Sequence, residues 1–434
     1  MLKKQPTPGQ IVSEKFDSKN EIREITLSNG AKVLLKKSNT KPGQIVMAAT
    51  SPGGYSLASD DSYQSAIYSS SIVSASGVGQ YTAAQLKKYL SGIRASIMPT
   101  LGEREEGFSG SADSAGLKNM FEMMYGYFTE PRLEADILNN VKASRIASIA
   151  NTKEDPMSQF RNTISERLYN GNPRRAPQSK EQIESIDAQK ALAAFKDRYA
   201  DASDFTFILV GDLNEDAISP LLEKYVASLP RLHRKEKPKE IDEKNIQKGI
   251  KETIYKGQEN KTSVQLTYFC DSDFSLQEKA SIKALNGILN YILTERLREE
   301  ESGIYGIAIN ASYPRESKER FNLNIQFGSS VEKTPALIKS ALEEIQKIKK
   351  EGPNKVHFDK YIIEQKRNQE NVQRGNYTWL GLIESEAKGE MGLSEADQKE
   401  QLLNSVTLES VKKVANKYIN DKKMHQFILM PDKK

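Results

Sequence analysis

Two stretches of this chain, Ser185 to Asp212 and Ser405 to Asp432, match at a constant spacing of 220 residues. Ser185 corresponds to Ser405, Phe207 to Phe427, Ile208 to Ile428, Leu209 to Leu429 and Asp212 to Asp432, and a one-residue slip sets Tyr199 opposite Tyr418. Each stretch reads as an amphipathic helix followed by a buried strand. A lone helix and strand cannot cover each other's apolar surface, so the match implies two copies of a larger α+β unit. A chain of 434 residues has room for two such units, each with its own core.

The intervening patterns fill the units. Residues 21–37 (EIREITLSNGAKVLLKK) alternate apolar and polar on both sides of Ser28-Asn29-Gly30, which predicts a β-hairpin. QIVMAATSPGG predicts a buried strand stopped at Pro52-Gly53-Gly54. AAQLKKYLSGI and LKNMFEMMYGYFTEP space their apolar residues as helices do, and IMPTLGEREEGFSGSAD between them predicts two strands. Residues 133–170 predict helix again, broken at Asp155-Pro156, where Asp caps and Pro occupies the first turn. After Pro230 the stretch RLHRKEKPKEIDEKNIQKGIKE is almost wholly charged with mixed signs, and predicts a solvated linker. Strand TSVQLTYFC, helix EKASIKALNGILNYILTERLREE, strands GIYGIAINASY and RFNLNIQFG, and two helices follow. The expected fold class is α+β: two homologous domains, each a mostly antiparallel sheet with helices packed on one face. The boundaries read as a linker-like N-terminus over 1–20, a first domain over 21–230, the charged linker over 231–249 and a second domain over 250–434.

Composition removes several functions. Lys and Arg number 63 against 58 Asp and Glu, a net +5 with the signs interspersed, which provides no electrostatic footprint for nucleic acid. The mean hydropathy is −0.61, and no membrane span is expected. The chain holds one Cys, Cys270, and three His, His233, His357 and His425. A single Cys allows neither an internal disulfide nor a thiolate cluster, and inside VQLTYFC it reads as a packed thiol. No two His stand at a spacing that offers a metal two imidazoles. There is no Gly-x-Ser-x-Gly elbow, and SGVGQY lacks what a phosphate-cradling loop needs. The start, MLKKQPTPGQIVSEKF, has positive charge without the apolar stretch of a signal peptide. It reads either as a cut interdomain linker or as the N-terminus of a separate subunit.

The duplicated unit, the TLSNGAKVLLKK hairpin, the SPGG turn before a helix, the segment LREEESGIY and the closing FILMPD strand together resemble the pitrilysin/insulinase superfamily of zinc metallopeptidases over nearly the whole chain. In that family the catalytic half carries His-x-x-Glu-His on the helix after the Gly-Gly turn, with a distant Glu as third ligand. Two imidazoles hold the metal and the Glu activates its water. On this sequence the three motif positions fall on Ile67, Ser70 and Ser71, and the third-ligand position falls near Ser148. An alkyl chain and neutral hydroxyls are no ligand set for zinc. LREEESGIY matches the segment with which the non-zinc half of such peptidases supplies an Arg and, seven residues later, a Tyr; here these are Arg298 and Tyr305, with Gly303 allowing the turn between them. An Arg fork and a phenol suit the substrate carbonyl and its developing oxyanion. Glu299, Glu300 and Glu301 read as helix-end surface charges.

The resemblance therefore implies the C-terminal, non-metal half of a large peptidase, or its separately encoded inactive partner subunit. It implies no cofactor on this chain and zinc in a partner half. It also implies a peptide or unfolded-protein substrate and no activity for this chain alone. A scaffold or peptide-binding protein of the same fold is the alternative, and an independent metalloenzyme would require stoichiometric zinc. The large bacterial enzymes of this type point to the periplasm first and the cytoplasm second.

Overall fold

The computed structural model describes residues 1–241, 248–315, 320–370 and 374–433. They form two units: Met1–Ile149 with Gln178–Ile241 and Gln373–Leu393, and Ala150–Pro177 with Asp242–Val372 and Ser394–Lys434.

In the first unit the predicted hairpin forms from β2 (Ile22–Leu27) and β3 (Lys32–Lys37). Gly30 takes φ 95° in the turn, a region that an L side chain enters at a cost. The buried Asn29 amide donates to Val226 O at 2.8 Å, fixing the turn to the unit. Residues 11–17, expected within a linker-like N-terminus, are instead a strand, β1 (Ile11–Asp17), paired antiparallel with β2. Its Glu14, Lys15 and Asp17 hide the strand pattern; charges of this kind keep an edge from pairing further. With β4 (Ile45–Pro52), β5 (Ala95–Leu101), β6 (Glu105–Ala112) and β7 (Thr206–Gly211) the sheet runs β1-β2-β3-β7-β4-β6-β5, antiparallel except for β3 beside β7.

The helices of this half of the sequence are α1 (Tyr63–Ser76), α2 (Ala83–Tyr89), α3 (Leu117–Thr129), α4 (Ala135–Thr152), α5 (Pro156–Leu168), α6 (Lys180–Glu184), α7 (Ala188–Arg198) and α8 (Glu215–Leu221). Asp155 caps α5 by accepting from Ser158 N at 2.7 Å, with Pro156 at the first position as expected. The core packs Phe108, Phe121, Phe128, Phe195, Tyr199, Phe205 and Phe207 between sheet and helices. The Tyr199 hydroxyl lies 2.6 Å from Thr100 O and 2.7 Å from Gly107 O, so this buried phenol is satisfied.

The second unit holds β8 (Lys251–Tyr255), β9 (Thr262–Asp271), β10 (Ile304–Ser312), β11 (Arg320–Ser329) and β12 (His425–Met430) in the order β10-β11-β9-β12-β8. Only β12 and β8 are parallel. The helices of this half are α9 (Leu276–Thr294), α10 (Thr334–Glu351), α11 (Lys355–Glu370), α12 (Asn376–Ala387), α13 (Gly392–Asp397), α14 (Lys399–Ser405) and α15 (Leu408–Tyr418). The repeat is visible in this order: β8-β12-β9-β11-β10 corresponds to β3-β7-β4-β6-β5, and β1-β2 is an addition to the first sheet. Phe207 and Phe427 are both fully buried, as are Tyr199 and Tyr418.

The α+β class and the mostly antiparallel sheets are as expected. Each sheet also carries a helix on its second face, drawn from the other half of the sequence. In the first unit Leu380 and Ile383 of α12 pack on Val46, Ala48, Ile208 and Val210. In the second, Phe160, Ile164 and Leu168 of α5 pack on Phe427 and Leu429. The units are therefore not the contiguous blocks 21–230 and 250–434. The described part of the expected linker is largely exposed, yet it is pinned to the first unit. Leu232 N and Arg234 N donate to the Asp201 carboxylate at 2.9 and 2.6 Å, Arg198 grips Glu236 at 2.9 and 3.0 Å, and Lys239 N donates to Ser56 Oγ at 2.9 Å. Residues 231–241 form a strap on the first unit, and 242–247 lie outside the described residues.

Candidate functional site

After Thr294 the α9 helix widens into a π-helical turn over Glu295–Glu300, which carries Arg298. Such a turn adds a residue and re-aims the side chains that follow it. The end of the helix is closed by Glu301 N donating to Arg296 O at 3.3 Å and Gly303 N donating to Leu297 O at 2.9 Å. Lys333 Nζ donates to Ser302 O at 3.0 Å. The left-handed residue of this connection is Ser302, φ 44°. Gly303 is needed for space, because a Cβ there would lie 2.4 Å from Leu337 Cδ2.

Tyr305 opens β10 on a β-bulge: Ile304 pairs with Ser329 and Gly306 with Gly328, leaving Tyr305 as the extra residue. The residue is 75% exposed, although a tyrosine two residues into a strand is normally packed. Arg298 is exposed too, and it makes no ion pair or side-chain hydrogen bond among the described residues. Its neighbours are engaged: Arg296 takes Glu300 at 2.8 Å and Glu301 at 3.2 Å. The turn thus presents one free guanidinium and one free phenol on either side of a short, braced connection.

Ile67, Ser70 and Ser71 lie on α1, and Ser148 on α4, in the first unit. Ile67 is half-buried against a cluster that includes Tyr68, Ile72, Leu138 and Ile183. The Ser71 hydroxyl donates to Tyr68 O at 2.9 Å, back into its own helix. The Arg145 guanidinium lies 5.5 Å from the Tyr68 ring centroid, so a cation already faces α1 from α4. These residues do not fit a zinc ion: they supply no anionic or imidazole donor, and the neighbouring charge has the wrong sign. Among the described residues no group of three or more His, Cys, Asp and Glu is placed to hold a metal.

Of the scarce side chains, His233 is exposed and the other three are at least partly buried. Cys270 is half-buried, its thiol pushed up to about 11 by desolvation. His425 is buried and burial lowers its pKa; His357 meets Glu295 at 2.7 Å. A further titratable cluster escaped the sequence reading. Glu106 on β6 is 2% exposed, accepts from Gly54 N at 2.6 Å and lies 4.0 Å from Arg198 Nη1. Desolvation pushes its carboxyl up to about 8. Strand alternation could have found it, since Glu106 shares the side of Phe108, a core residue.

The fold, with the Arg–Tyr turn in the second unit and a motif helix without zinc ligands in the first, resembles the pitrilysin/insulinase (M16) type of peptidase domain. The comparisons agree. The peptidase M16 inactive domain matches residues 185–364. A zinc protease PQQL-like protein of Arabidopsis thaliana is 23% identical over 401 residues, covering 88% of this chain and 39% of that protein. The periplasmic protease PqqL from Escherichia coli superposes with a TM-score of 0.86 at 21% identity, over 100% of this chain and 48% of that one. A peptidase M16 inactive domain from Pseudomonas fluorescens superposes at 0.76 and 20% identity, over 95% and 99%. The chain is a relative of the M16 zinc peptidases, and it spans less than half the length of the curated relatives it matches.

Proposed function

We propose that this chain is the non-metal half of an M16-type zinc endopeptidase, working with a zinc-bearing half that is either part of the same polypeptide or a separate subunit. Peptide or unfolded protein is the substrate, held in part by strand addition to an exposed sheet edge. Arg298 hydrogen-bonds the substrate carbonyl through its fork, and the Tyr305 hydroxyl donates to the oxygen on which negative charge develops. The supporting observation is the bulged, 75% exposed Tyr305 beside the unpaired Arg298. By itself the chain turns over no peptide and binds no zinc. The relative described as a periplasmic protease makes the periplasm the proposed compartment.

The test is peptide cleavage by the zinc-bearing half reconstituted with this chain carrying Arg298→Ala or Tyr305→Phe. Loss of an oxyanion donor costs about 2–4 kcal/mol of transition-state stabilisation, read as a fall in kcat/KM of roughly 10²- to 10³-fold. Unchanged turnover overturns the assignment. A rise in KM with kcat unchanged favours a peptide-binding scaffold, the reading that the empty positions Ile67, Ser70, Ser71 and Ser148 also support.

A further inference from the structure

Across one end of the second sheet, Thr262 of β9, Ser329 of β11 and Ile304 of β10 stand side by side in register. Thr262 and Ser329 are buried, and so is Thr334, the first residue of α10. Their hydroxyls form a closed cluster. Thr262 Oγ1 lies 2.7 Å from Thr334 Oγ1 and 3.1 Å from Ser329 Oγ, and Ser329 Oγ lies 2.8 Å from Thr334 Oγ1. Ser330 O is 2.8 Å from Thr334 Oγ1, and Ser329 O is 3.2 Å from Thr262 Oγ1, so every hydroxyl has partners. Aliphatic side chains of the same shape would fill this space with no hydrogen bonds to satisfy. What the hydroxyls add is a single permitted arrangement of the elements that they join.

That arrangement bears on the neighbouring bulge. Ile309 and Ile307 of β10 point into the core of the second unit, and strict alternation would put Tyr305 inward next, beside Ser329. The bulge sends Ile304 inward in its place and turns Tyr305 out to solvent. A phenol ring beside Ser329 would need the first turn of α10 to stand further from the sheet. That turn is held down. Thr334 is tied to both strands, Lys333 Nζ donates to Ser302 O at 3.0 Å, and a Cβ on Gly303 would already lie 2.4 Å from Leu337 Cδ2. The closed hydroxyl cluster and an inward Tyr305 therefore exclude each other.

We infer that the buried hydroxyls of Thr262, Ser329 and Thr334 lock the bulge that exposes Tyr305, and are thereby positioning residues for the site. The inference rests on the reading above for what Tyr305 does, and goes beyond it in naming what holds the side chain out.

Fluorotyrosine placed at position 305 of the full chain tests it, because the solvent isotope shift of its fluorine resonance reports exposure. The wild type gives a single exposed resonance. Thr262→Val with Ser329→Ala and Thr334→Val removes the cluster as a whole, which orphans no hydroxyl and moves the unfolding midpoint little. The turn of α10 is then free to lift, and a buried resonance takes roughly half of the intensity or more. Thr334→Val alone gives a smaller buried resonance and serves where the triple variant does not fold. Thr334→Ser keeps the hydroxyl and the single exposed resonance. With the zinc-bearing half, kcat follows the exposed fraction while KM stays within about twofold, and Thr334→Ser retains wild-type turnover. Tyr418→Phe, which removes a buried hydroxyl elsewhere in the same core, leaves the resonance and kcat unchanged. A folded variant without the cluster whose Tyr305 stays wholly exposed overturns the inference, whatever Arg298→Ala and Tyr305→Phe do to turnover. A Tyr305 that turns inward with turnover unchanged overturns the oxyanion reading and supports the lock.

Discussion

Replacing Glu106 by Gln flattens the pH dependence of stability between about pH 4.5 and 8. Glu106 is buried beside Gly54 N at 2.6 Å, and the cation it meets, Arg198, is shared with Asp197 at 2.5 Å and Glu236 at 2.9 Å. An ionised Glu106 is thus taken out of water without full compensation, and its carboxyl titrates near 8 instead of 4.5. The folded state then holds a proton that the unfolded state releases, so the contribution of Glu106 to stability is fully present below pH 4.5 and is lost as pH rises to 8. At about 1.4 kcal/mol per pKa unit the loss reaches roughly 4–5 kcal/mol as an upper bound, and relaxation around the charge reduces it toward 2. Gln keeps the acceptor for Gly54 N and cannot ionise. The variant therefore matches the wild type near pH 5 and exceeds it by about 2–4 kcal/mol above pH 8. Asp204, pushed up to about 6, adds a slope of the same sign, and the buried His425, lowered by desolvation, adds one of opposite sign. Both are common to wild type and variant, so the difference between their urea midpoints across pH isolates Glu106. A wild type as stable at pH 8.5 as at pH 5 relative to Glu106→Gln refutes the reasoning.

Two adjacent substitutions in the turn before Tyr305 act in opposite directions. Gly303→Ala drives a Cβ into the buried Leu337 and costs about 1–3 kcal/mol, whereas Ser302→Gly relieves φ 44° and stabilises by about 0.5–1 kcal/mol; thermal unfolding reads both. Separately produced fragments 1–241 and 242–434 fail to unfold cooperatively alone and recover when refolded together, because each lacks the helix that covers its sheet. At about 1.5–3 kcal/mol for each buried Phe, Leu or Ile, loss of Phe160, Ile164 and Leu168 removes an amount comparable with a whole domain's stability. Native-like cooperative unfolding of either fragment alone would contradict this.

What the sequence made legible follows from locality. The hairpin at Asn29-Gly30, the cap at Asp155 and the 220-residue match are each written in a few neighbouring residues. What it hid depends on distant partners. β1 and the strap over 231–241 look like solvated chain because their charges are visible and their partners, β2 for one and Asp201 with Arg198 for the other, are not. Nothing in α5 or α12 says which sheet it covers. The Arg298 and Tyr305 positions could be read from LREEESGIY, but the π-helical turn and the bulge that expose them could not, since both are set by pairing to β11 and packing on Leu337.

The two units diverge where packing does not hold them alike. Tyr199 and Tyr418 both lie in the main core of their unit, and either copy loses a core contact if one changes, whereas Phe207 faces the main core and Phe427 the α5 side of its sheet. The helix that follows the central strand, α1 after β4 and α9 after β9, meets the same demand on its inner side only. In the first unit this helix carries Ile67, Ser70 and Ser71 and stops at Gly77, φ 99°. In the second it continues into the π-helical turn that carries Arg298 and leads to Tyr305. An extra residue in a helical turn rotates everything beyond it by about 100°, enough to move a side chain from the packed side to the open one. The same topological position therefore holds chemistry of a different kind in each copy, with no change in the core.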